Sequence, residues 1–319
     1  MDKTHQSELE RLASLEQRAE NGGGQKAVGR QHERGKLTAR QRLNLLFDPG
    51  SFVEVNKLAE SQSVDFGMQE KKVPGDGVVT GYGTIEGRLV FAFALDVTVL
   101  GGCVGTIHGQ KICRILDEAI KVKAPLVALN DSGGGRLHEG FFASRGVAGM
   151  FYRNTAASGL IPQITGMMGS SAGVAVYSPA LTDFIVMVKG KSHMVITGPG
   201  IIKSVTGEDI SLEELGGAKV HSEITGTAHF VADSDEECIA VIKKLLGYLP
   251  SNNGESPPVV KTDDDPERID KKLKEIVPAD FKKSYDMHQV IERVVDQGTF
   301  FEVLRRYALN IIVGFARME

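Results

Sequence analysis

The sequence predicts an α/β protein in which β-sheets are stacked and flanked by helices. Short apolar runs that fit buried strands alternate with amphipathic stretches that fit helices between residues 78 and 249. Several of these runs end in glycine-rich turns, and the run 126–130 is followed by the three glycines Gly133–Gly135. Alternating strands and helices with glycine at the strand exits are typical of a βα core.

The elements before this turn follow from hydrophobic periodicity and turn residues. Leucines at positions 9, 12 and 15 give residues 7–20 one apolar helical stripe, which Gly22–Gly24 ends. Thr38 is the expected N-cap of a helix that runs to Leu46. Glu86-Gly87 indicates a hairpin turn. The remaining elements expected here are a strand at 51–55, hairpin strands at 78–85 and 88–95, a glycine-bearing strand exit at 96–105 and a helix at 110–123.

The alternation continues through the second half of the chain. A helical spacer separates the run 126–130 from a second apolar run, 161–166. Gly198-Pro199-Gly200 is expected to end a strand. The other elements expected are strands at 185–188 and 193–197, a short helix near 213–217, a polar loop at 221–230 and an amphipathic helix at 233–249.

Two strand–glycine–helix segments are the strongest functional signal. The first contains Gly133–Gly135, and the second is GSSAGVA at residues 169–175. Glycine leaves the backbone N–H groups open to a ligand, so two such turns side by side would direct main-chain donors at one point. An oxyanion hole needs this arrangement, because its donors stabilise an oxygen that gains charge during the reaction.

The same turns are open to two other interpretations. Ordinary βα turns are also rich in glycine, so a purely structural role is an alternative. A nucleotide phosphate loop is disfavoured because no Gly-Lys-Ser/Thr follows the glycines and neither turn has the G-x-G-x-x-G spacing.

Composition bounds the class of protein. The 319 residues carry a formal net charge of −4, which gives no broad basic field for nucleic acid. No apolar run reaches membrane-spanning length. Cys103, Cys113 and Cys238 are odd in number and lack C-x-x-C spacing, so we expect reduced thiols and no metal site. The N-terminus resembles neither a signal peptide nor a transit peptide, and we therefore expect a cytoplasmic protein.

Composition also predicts a domain boundary. Residues 250–266 are rich in Pro, Asn, Ser and Asp, so we expect a first domain at 1–249, a linker at 250–266 and the beginning of a second domain at 267–319. Past the linker, residues 287–303 repeat the pattern of residues 39–55 without a gap. We interpret this as an internal duplication whose second copy is only begun, rather than as chance similarity. Its last strand would then lack a hairpin partner, and the missing part would be a separate subunit or would have been lost.

Long motifs in the chain resemble one enzyme family. They include HERGKLTARQRL at 32–43, LNDSGGGRLHEG at 129–140, YSPALTDF at 177–184, ITGPGIIKSVTGEDI at 196–210 and ELGGAKVH at 214–221. The chain is therefore similar to the carboxyltransferase (β) subunits of biotin-dependent acyl-CoA carboxylases. This family includes propionyl-CoA carboxylase and methylmalonyl-CoA carboxyltransferase. The resemblance implies a crotonase/ClpP-like βα spiral, of which this chain would be the first of two duplicated domains plus the opening of the second.

The resemblance also implies a reaction and its partners. Carboxyl would be exchanged between carboxybiotin and the α-carbon of a short acyl-CoA, with the thioester enolate held by backbone N–H groups. Those groups would belong to Gly134, Gly135, Gly173 and Val174. Biotin would arrive on a separate carrier protein with a biotin carboxylase subunit, and the family forms homo-oligomers (trimers or hexamers). No metal and no membrane insertion are implied.

Two details of the site are specific to this chain. The family usually has alanine at position 135 and glycine at position 174, so Gly135 and Val174 depart from it. Valine here could narrow the pocket or weaken the enzyme if the position needs positive φ. Lys36 and Arg40, in the basic segment 30–42, are candidate contacts for the phosphates of coenzyme A. The alternative is that this segment is a solvated helix face.

Two rival functions remain open at this point. One is the carboxyltransferase subunit of a sodium-pumping methylmalonyl- or glutaconyl-CoA decarboxylase. The other is a truncated, non-catalytic homologue that binds acyl-CoA. We expect the nearby polar side chains to be structural or exposed rather than catalytic, namely Asp131, Arg136, His138, His193, His221 and His229.

Overall fold

The structure is a computed structural model that describes residues 3–265, 267–280 and 282–318. Four parts of the sequence predictions fall outside these ranges. They are the first two residues of the N-terminus, Pro266 at the end of the predicted linker, Phe281 in the predicted second domain, and Glu319 at the end of the repeat.

The helices and strands follow one another in the order that the α/β class requires. The helices are α1 Lys3–Glu20, α2 Gln25–Glu33, α3 Ala39–Leu46, α4 Thr106–Val122, α5 Ala143–Ala157, α6 Val174–Ala180, α7 Pro199–Thr206, α8 Leu212–Gly216, α9 Ala218–Glu223, α10 Asp235–Leu246, α11 Leu273–Ile276 and α12 Met287–Val294. The strands are β1 Val53–Glu54, β2 Val78–Ile85, β3 Arg88–Leu95, β4 Leu126–Ser132, β5 Gln163–Ala172, β6 Phe184–Val188, β7 His193–Val195, β8 Phe230–Ala232, β9 Phe301–Val303 and β10 Val313–Phe315. Short 3₁₀ turns lie at Asp65–Lys71, Leu100–Gly102 and Leu137–Phe142.

The described strands form one mixed eight-stranded sheet and a separate two-stranded sheet. The large sheet has the order β1-β2-β3-β4-β5-β6-β8, and β7 pairs with the end of β5 away from this path. The first three strands are antiparallel, whereas β3, β4, β5, β6 and β8 run parallel to their neighbours. The predicted α/β class is confirmed, and the parallel pairing places the carboxyl ends of β4 and β5 side by side.

Both faces of the central strands are buried. On β4, Val127 and Leu129 pack against α3 and α10, whereas Leu126 and Ala128 pack against α4 and α5. Strands that are covered on both faces are apolar throughout rather than alternating, which explains why this segment appears in the sequence as one continuous apolar run. The two helical layers therefore fix the position of the turn that follows β4.

Local sequence signals predicted some boundaries accurately. The hairpin strands β2 and β3 have the predicted bounds, and the turn between them is closed by Asp48, which accepts hydrogen bonds from the N–H groups of Glu86 and Gly87. Thr38 caps α3 as predicted and forms a full capping box with Gln41. Short-range hydrogen bonds of this kind are encoded within a few residues, so they can be predicted from the sequence.

Other boundaries were wrong. The strand predicted to end at residue 166 continues to Ala172, because Gly166 and Gly169 lie inside β5 and not in a turn. A methyl group on Gly169 would overlap the Asp131 carboxylate, so this glycine allows close packing of β5 on β4. The predictions also missed α2, α7, α9, α11 and β8.

The internal repeat is present in the structure. Helix α12 occupies the residues that correspond to α3, and β9 pairs with β10 in the register with which β1 pairs with β2. The backbone bond from Asp48 N–H to the Thr84 carbonyl is 2.8 Å long, and its counterpart from Asp296 to Arg317 is 2.9 Å long. The predicted domain limits at residues 249 and 266 remain a prediction.

The second copy packs on the far edge of the first. The ring of Phe301 stacks on Phe230 of β8 with their centroids 4.8 Å apart, and Phe315 contacts Phe184 of β6. The Tyr248 ring also contacts both of these phenylalanines of the repeat. Aromatic contacts of this kind extend the core of the large sheet to the two-stranded sheet.

Candidate active site

The two glycine turns lie in direct contact, as the sequence predicted. β4 and β5 pair in parallel up to Ser132 and Ser171, immediately before the turns. A methyl group on Gly134 would lie 2.8 Å from the carbonyl oxygen of Ala172, and one on Gly135 would lie 3.4 Å from Val174 Cγ2. Gly134 needs to be glycine for a second reason, because its φ is +107°.

Only two of the four expected N–H donors are free to bind a ligand. The N–H of Gly134 donates to Ser132 Oγ at 3.2 Å, and the N–H of Gly173 donates to the Val195 carbonyl at 3.0 Å. By contrast, the N–H groups of Gly135 and Val174 donate to no acceptor within the described ranges. Gly135 and Val174 are both partly exposed, so their N–H groups are open to a ligand and form a candidate oxyanion-binding site.

Gly173, not Val174, adopts the unusual backbone conformation at the second turn. Gly173 has φ +56° and ψ −127°, a combination open to glycine, whereas Val174 is the first residue of α6. Val174 also packs against the core cluster formed by α4 and α5. The concern that valine would be strained here is therefore wrong, since the strained position is one residue earlier. The first N–H of a helix has no partner within the helix, which explains why the Val174 donor is free.

A buried charge network holds the beginning of the first turn. Asp131 Oδ2 lies 2.6 Å from Lys36 Nζ, accepts from Gln31 Nε2 at 2.9 Å and lies 3.4 Å from the Arg42 guanidinium. Arg42 also donates to Asp235 at 2.8 Å. Burial lowers the pKa of the Lys36 ammonium, and the Asp131 carboxylate opposes this shift. Two cations and two carboxylates therefore balance one another beneath the turn.

A second network holds the end of the same turn. Arg136 donates to Asp76 at 2.6 Å and to Glu139 at 2.9 Å, and it also donates to the Cys103 carbonyl. Burial raises the pKa of Asp76, and the Arg136 guanidinium opposes this shift. Burial also favours neutral Glu139, but hydrogen bonds from Thr106 and the charge of Arg136 lower the pKa of Glu139. Asp131 and Arg136 therefore hold the turn from both sides, as expected.

The structure corrects the interpretation of the basic segment. Lys36 is only 9% exposed and is bound to Asp131, and Arg40 is bound to Glu54 through two hydrogen bonds of 2.7 and 3.1 Å. Lys36 and Arg40 therefore form neither a cationic rim nor part of a solvated helix face. Arg30 and Arg34 are exposed, have no ion pair in the described part of the chain and line a cleft of about 170 Å³.

Sequence reasoning missed the role of Arg42 and Asp235. Arg42 lies next to Leu43 and one turn before Leu46, on a helix face that the helical period predicts to be buried. This position is the sequence signal that could have identified Arg42 as a buried residue. A buried arginine requires a carboxylate partner, but the sequence did not show which one.

In the ranges given above, no three His, Cys, Asp or Glu side chains converge in a way that could hold a metal ion. The helices of the same ranges are all too short or too polar to cross a bilayer.

A comparison with family models matches residues 30–319 to the carboxyl transferase domain. The chain is 52% identical to methylmalonyl-CoA decarboxylase subunit alpha of Veillonella parvula over 99% of this chain and 62% of that protein. It is 48% identical to the carboxyltransferase subunit of propionyl-CoA carboxylase of Haloferax mediterranei over 99% of this chain and 61% of that protein. The chain thus spans about three fifths of the length of these relatives.

A comparison with solved structures gives the same family. The crystal structure of transcarboxylase 12S, a hexamer with methylmalonyl-CoA bound, matches with a TM-score of 0.96 and 46% identity, covering 99% of this chain and 62% of that one. The crotonase-like fold expected from the sequence is confirmed by this match.

Proposed function

This chain belongs to the carboxyl transferase domain family, and we propose that it is the acyl-CoA-binding half of a carboxyltransferase. The carboxyl group would move between N1′ of biotin and the α-carbon of a short acyl-CoA. The observation that carries the proposal is the adjacent pair of free N–H groups at Gly135 and Val174. The identity with subunits named for propionyl-CoA and methylmalonyl-CoA supports the choice of a short acyl chain.

The free N–H groups are suited to hold the thioester oxygen. When carboxyl leaves or joins the α-carbon, the thioester passes through an enolate whose oxygen carries negative charge. Donors fixed at Gly135 and Val174 would stabilise that oxygen without reorganising, because Asp131 and Arg136 hold the first turn at both ends. Removing one such donor typically lowers the rate by about 10²–10³-fold.

The phosphates of coenzyme A would bind beside Arg30 and Arg34 rather than at Lys36 and Arg40. The cleft between these two arginines also contains Gln31, which donates to Asp131 at the start of the first turn. The cleft is therefore linked to the start of the first turn through the hydrogen bond between Gln31 and Asp131. Planar guanidinium groups bind phosphate through paired hydrogen bonds.

Biotin, carried on a separate protein, would supply or accept the carboxyl group. We assign no residue of this chain to it. A biotin carboxylase and carrier subunit, together with further copies of this chain in a homo-oligomer, are the partners that this function requires.

A second candidate is the alpha subunit of a methylmalonyl-CoA decarboxylase. It is favoured by the 52% identity with the Veillonella parvula protein of that name. Both functions use the same enolate and the same two donors, and they differ in the direction of carboxyl transfer.

The proposal is tested by incubating the chain with methylmalonyl-CoA and free biotin and measuring propionyl-CoA and carboxylated biotin, with acyl-CoA binding followed by calorimetry. We expect binding together with carboxyl transfer. Binding without transfer would favour the non-catalytic acyl-CoA-binding homologue. Absence of binding would contradict the proposed site.

A further inference from the structure

Three hydrogen-bonded side chains lie beside the second glycine turn and have the order nucleophile, base and carboxylate. Ser170 Oγ lies 2.8 Å from His193 Nδ1, and His193 Nε2 lies 2.9 Å from Glu213 Oε2. A nucleophile that contacts a base, which a third group orients, is the signature of nucleophilic catalysis. We propose that this relay of Ser170, His193 and Glu213 hydrolyses acyl thioesters through an acyl-serine.

Regular backbone pairing holds the three residues together. Ser170 on β5 is the direct partner of His193 on β7, and an isolated bridge joins His193 to Gly217 at the end of α8. A methyl group on Gly217 would overlap the Glu213 side chain, so glycine leaves room for the carboxylate beside the imidazole. The relay is thus positioned by two strands and a helix end, not by a loose loop.

The partners of His193 define its tautomer. A carboxylate only accepts hydrogen bonds, so Nε2 carries the hydrogen and donates it to Glu213. Nδ1 then has a lone pair that accepts the hydroxyl hydrogen of Ser170. This is the state that a general base requires before proton transfer.

The nucleophile and the base of the relay differ in exposure, and the Glu213 side chain is 47% exposed. Ser170 is exposed, so that a substrate carbonyl can reach its hydroxyl, whereas the His193 side chain is only 13% exposed. A thiolate leaves more readily than an alkoxide, so a thioester is a more reactive substrate for such a serine than an ester. The choice of acyl thioesters rests on the proposed function, because Ser170 lies on β5, the strand that leads to Val174.

The reaction balances without a further reactant other than water. Ser170 Oγ bonds to the thioester carbonyl carbon while its proton moves to His193 Nδ1, and Glu213 stabilises the imidazolium. The C–S bond then breaks, and the thiol leaves with the proton from Nδ1. Water next attacks the acyl carbon and gives one proton to Nδ1. The bond between that carbon and Ser170 Oγ then breaks, Oγ takes the proton back from Nδ1, and the carboxylic acid leaves.

The nucleophile is tested with a fluorophosphonate probe, which phosphonylates reactive serines, followed by peptide mass spectrometry. We expect the adduct on Ser170. Ser211 is the internal control, because it is exposed and bonded to the Glu214 carboxylate at 2.6 Å but contacts no histidine. The variant H193Q keeps a polar amide at the position yet accepts no proton, so we expect labelling to slow by about 10²-fold or more. Equal labelling of Ser170 and Ser211, or unchanged labelling in H193Q, would overturn the relay.

The substrate class is tested by thiol release from a propionyl thioester of N-acetylcysteamine. We expect release by the wild type and its loss in S170A, with thermal unfolding of both proteins as the check on folding. A labelled Ser170 without thiol release, or release that persists in S170A, would overturn the thioester assignment. Neither measurement uses biotin, so failure of the relay is distinguishable from failure of carboxyl transfer.

Discussion

Replacing Lys36 by methionine separates a structural role from a ligand-binding role at this position. Lys36 Nζ lies 2.6 Å from Asp131 Oδ2, and the two side chains are 9% and 3% exposed. Removing one partner of a buried ion pair typically costs about 3–5 kcal/mol, because the other charge stays buried. Asp131 keeps its bonds to Gln31 and Arg42 in the variant, so we expect a loss near the lower end, about 3 kcal/mol.

The free energy of unfolding in urea measures this loss. K203M is the matched control, since Lys203 pairs with Asp209 on the surface, where both side chains are more than half exposed at 60% and 81%. An exposed pair contributes less than about 1 kcal/mol, so K203M should unfold almost like the wild type.

A double-mutant cycle isolates the pair. The double variant K36M/D131N lacks both charges, so neither is left buried without the other. We therefore expect its loss of unfolding free energy to be smaller than the sum of the two single-variant losses by about 1–3 kcal/mol. Additive effects would refute the reasoning. So would a K36M variant that unfolds like the wild type but binds coenzyme A more weakly, because Lys36 would then be a ligand contact.

Three further expectations concern single residues. G173A should lose about 1–3 kcal/mol of stability, because φ +56° with ψ −127° is strained for alanine. The cause is the backbone and not a clash, since no atom is closer than 3.7 Å to the added methyl group. An unchanged urea midpoint would contradict this. G135A should change stability by less than about 1 kcal/mol, because its methyl group would lie 3.4 Å from Val174 Cγ2. It should also keep carboxyl transfer, because its N–H remains. A larger loss of stability, or a loss of transfer, would contradict this expectation. Burial lowers the pKa of Lys111 to about 8, so the unfolded chain binds more protons between that value and the ordinary lysine pKa. The free energy of unfolding of the wild type should therefore rise by about 2–3 kcal/mol relative to that of K111M between pH 8 and about pH 10.4. Unfolding free energies that change with pH in the same way in both proteins would exclude this.

The parts of the fold that were predicted correctly are encoded locally. Alternation and the Glu86-Gly87 turn are sufficient to define β2 and β3, and Thr38 with Gln41 defines the start of α3. Helix α7 was missed because Pro199 was interpreted as an end signal, whereas proline is also favoured in the first turn of a helix.

The site was predicted only in outline, because its details depend on contacts between distant residues. Arg42 and Asp235 are 193 positions apart in the sequence, and nothing local identifies one as the partner of the other. The family resemblance implied four donors, but Ser132 Oγ and the Val195 carbonyl occupy two of them. Which N–H groups remain free depends on packing and could not be predicted from periodicity.

The free N–H of Val174 allows a direct test of the oxyanion site. Val174 is the first residue of α6, where proline is well tolerated and no internal hydrogen bond would be lost. The preceding Gly173 is outside the right-handed helical region, so its backbone is compatible with a following proline. V174P therefore removes this donor, and V174A is the matched control, because both variants lose the isopropyl group that packs on the core but only V174A keeps the N–H.

The measurement that we would make first is the rate of carboxyl transfer from methylmalonyl-CoA to free biotin by V174P and by V174A. Urea unfolding must first show that the two variants are equally stable. We expect V174A to retain transfer and V174P to be slower by about 10²–10³-fold. Equal rates in the two variants would contradict the assignment of the Val174 N–H as an oxyanion donor.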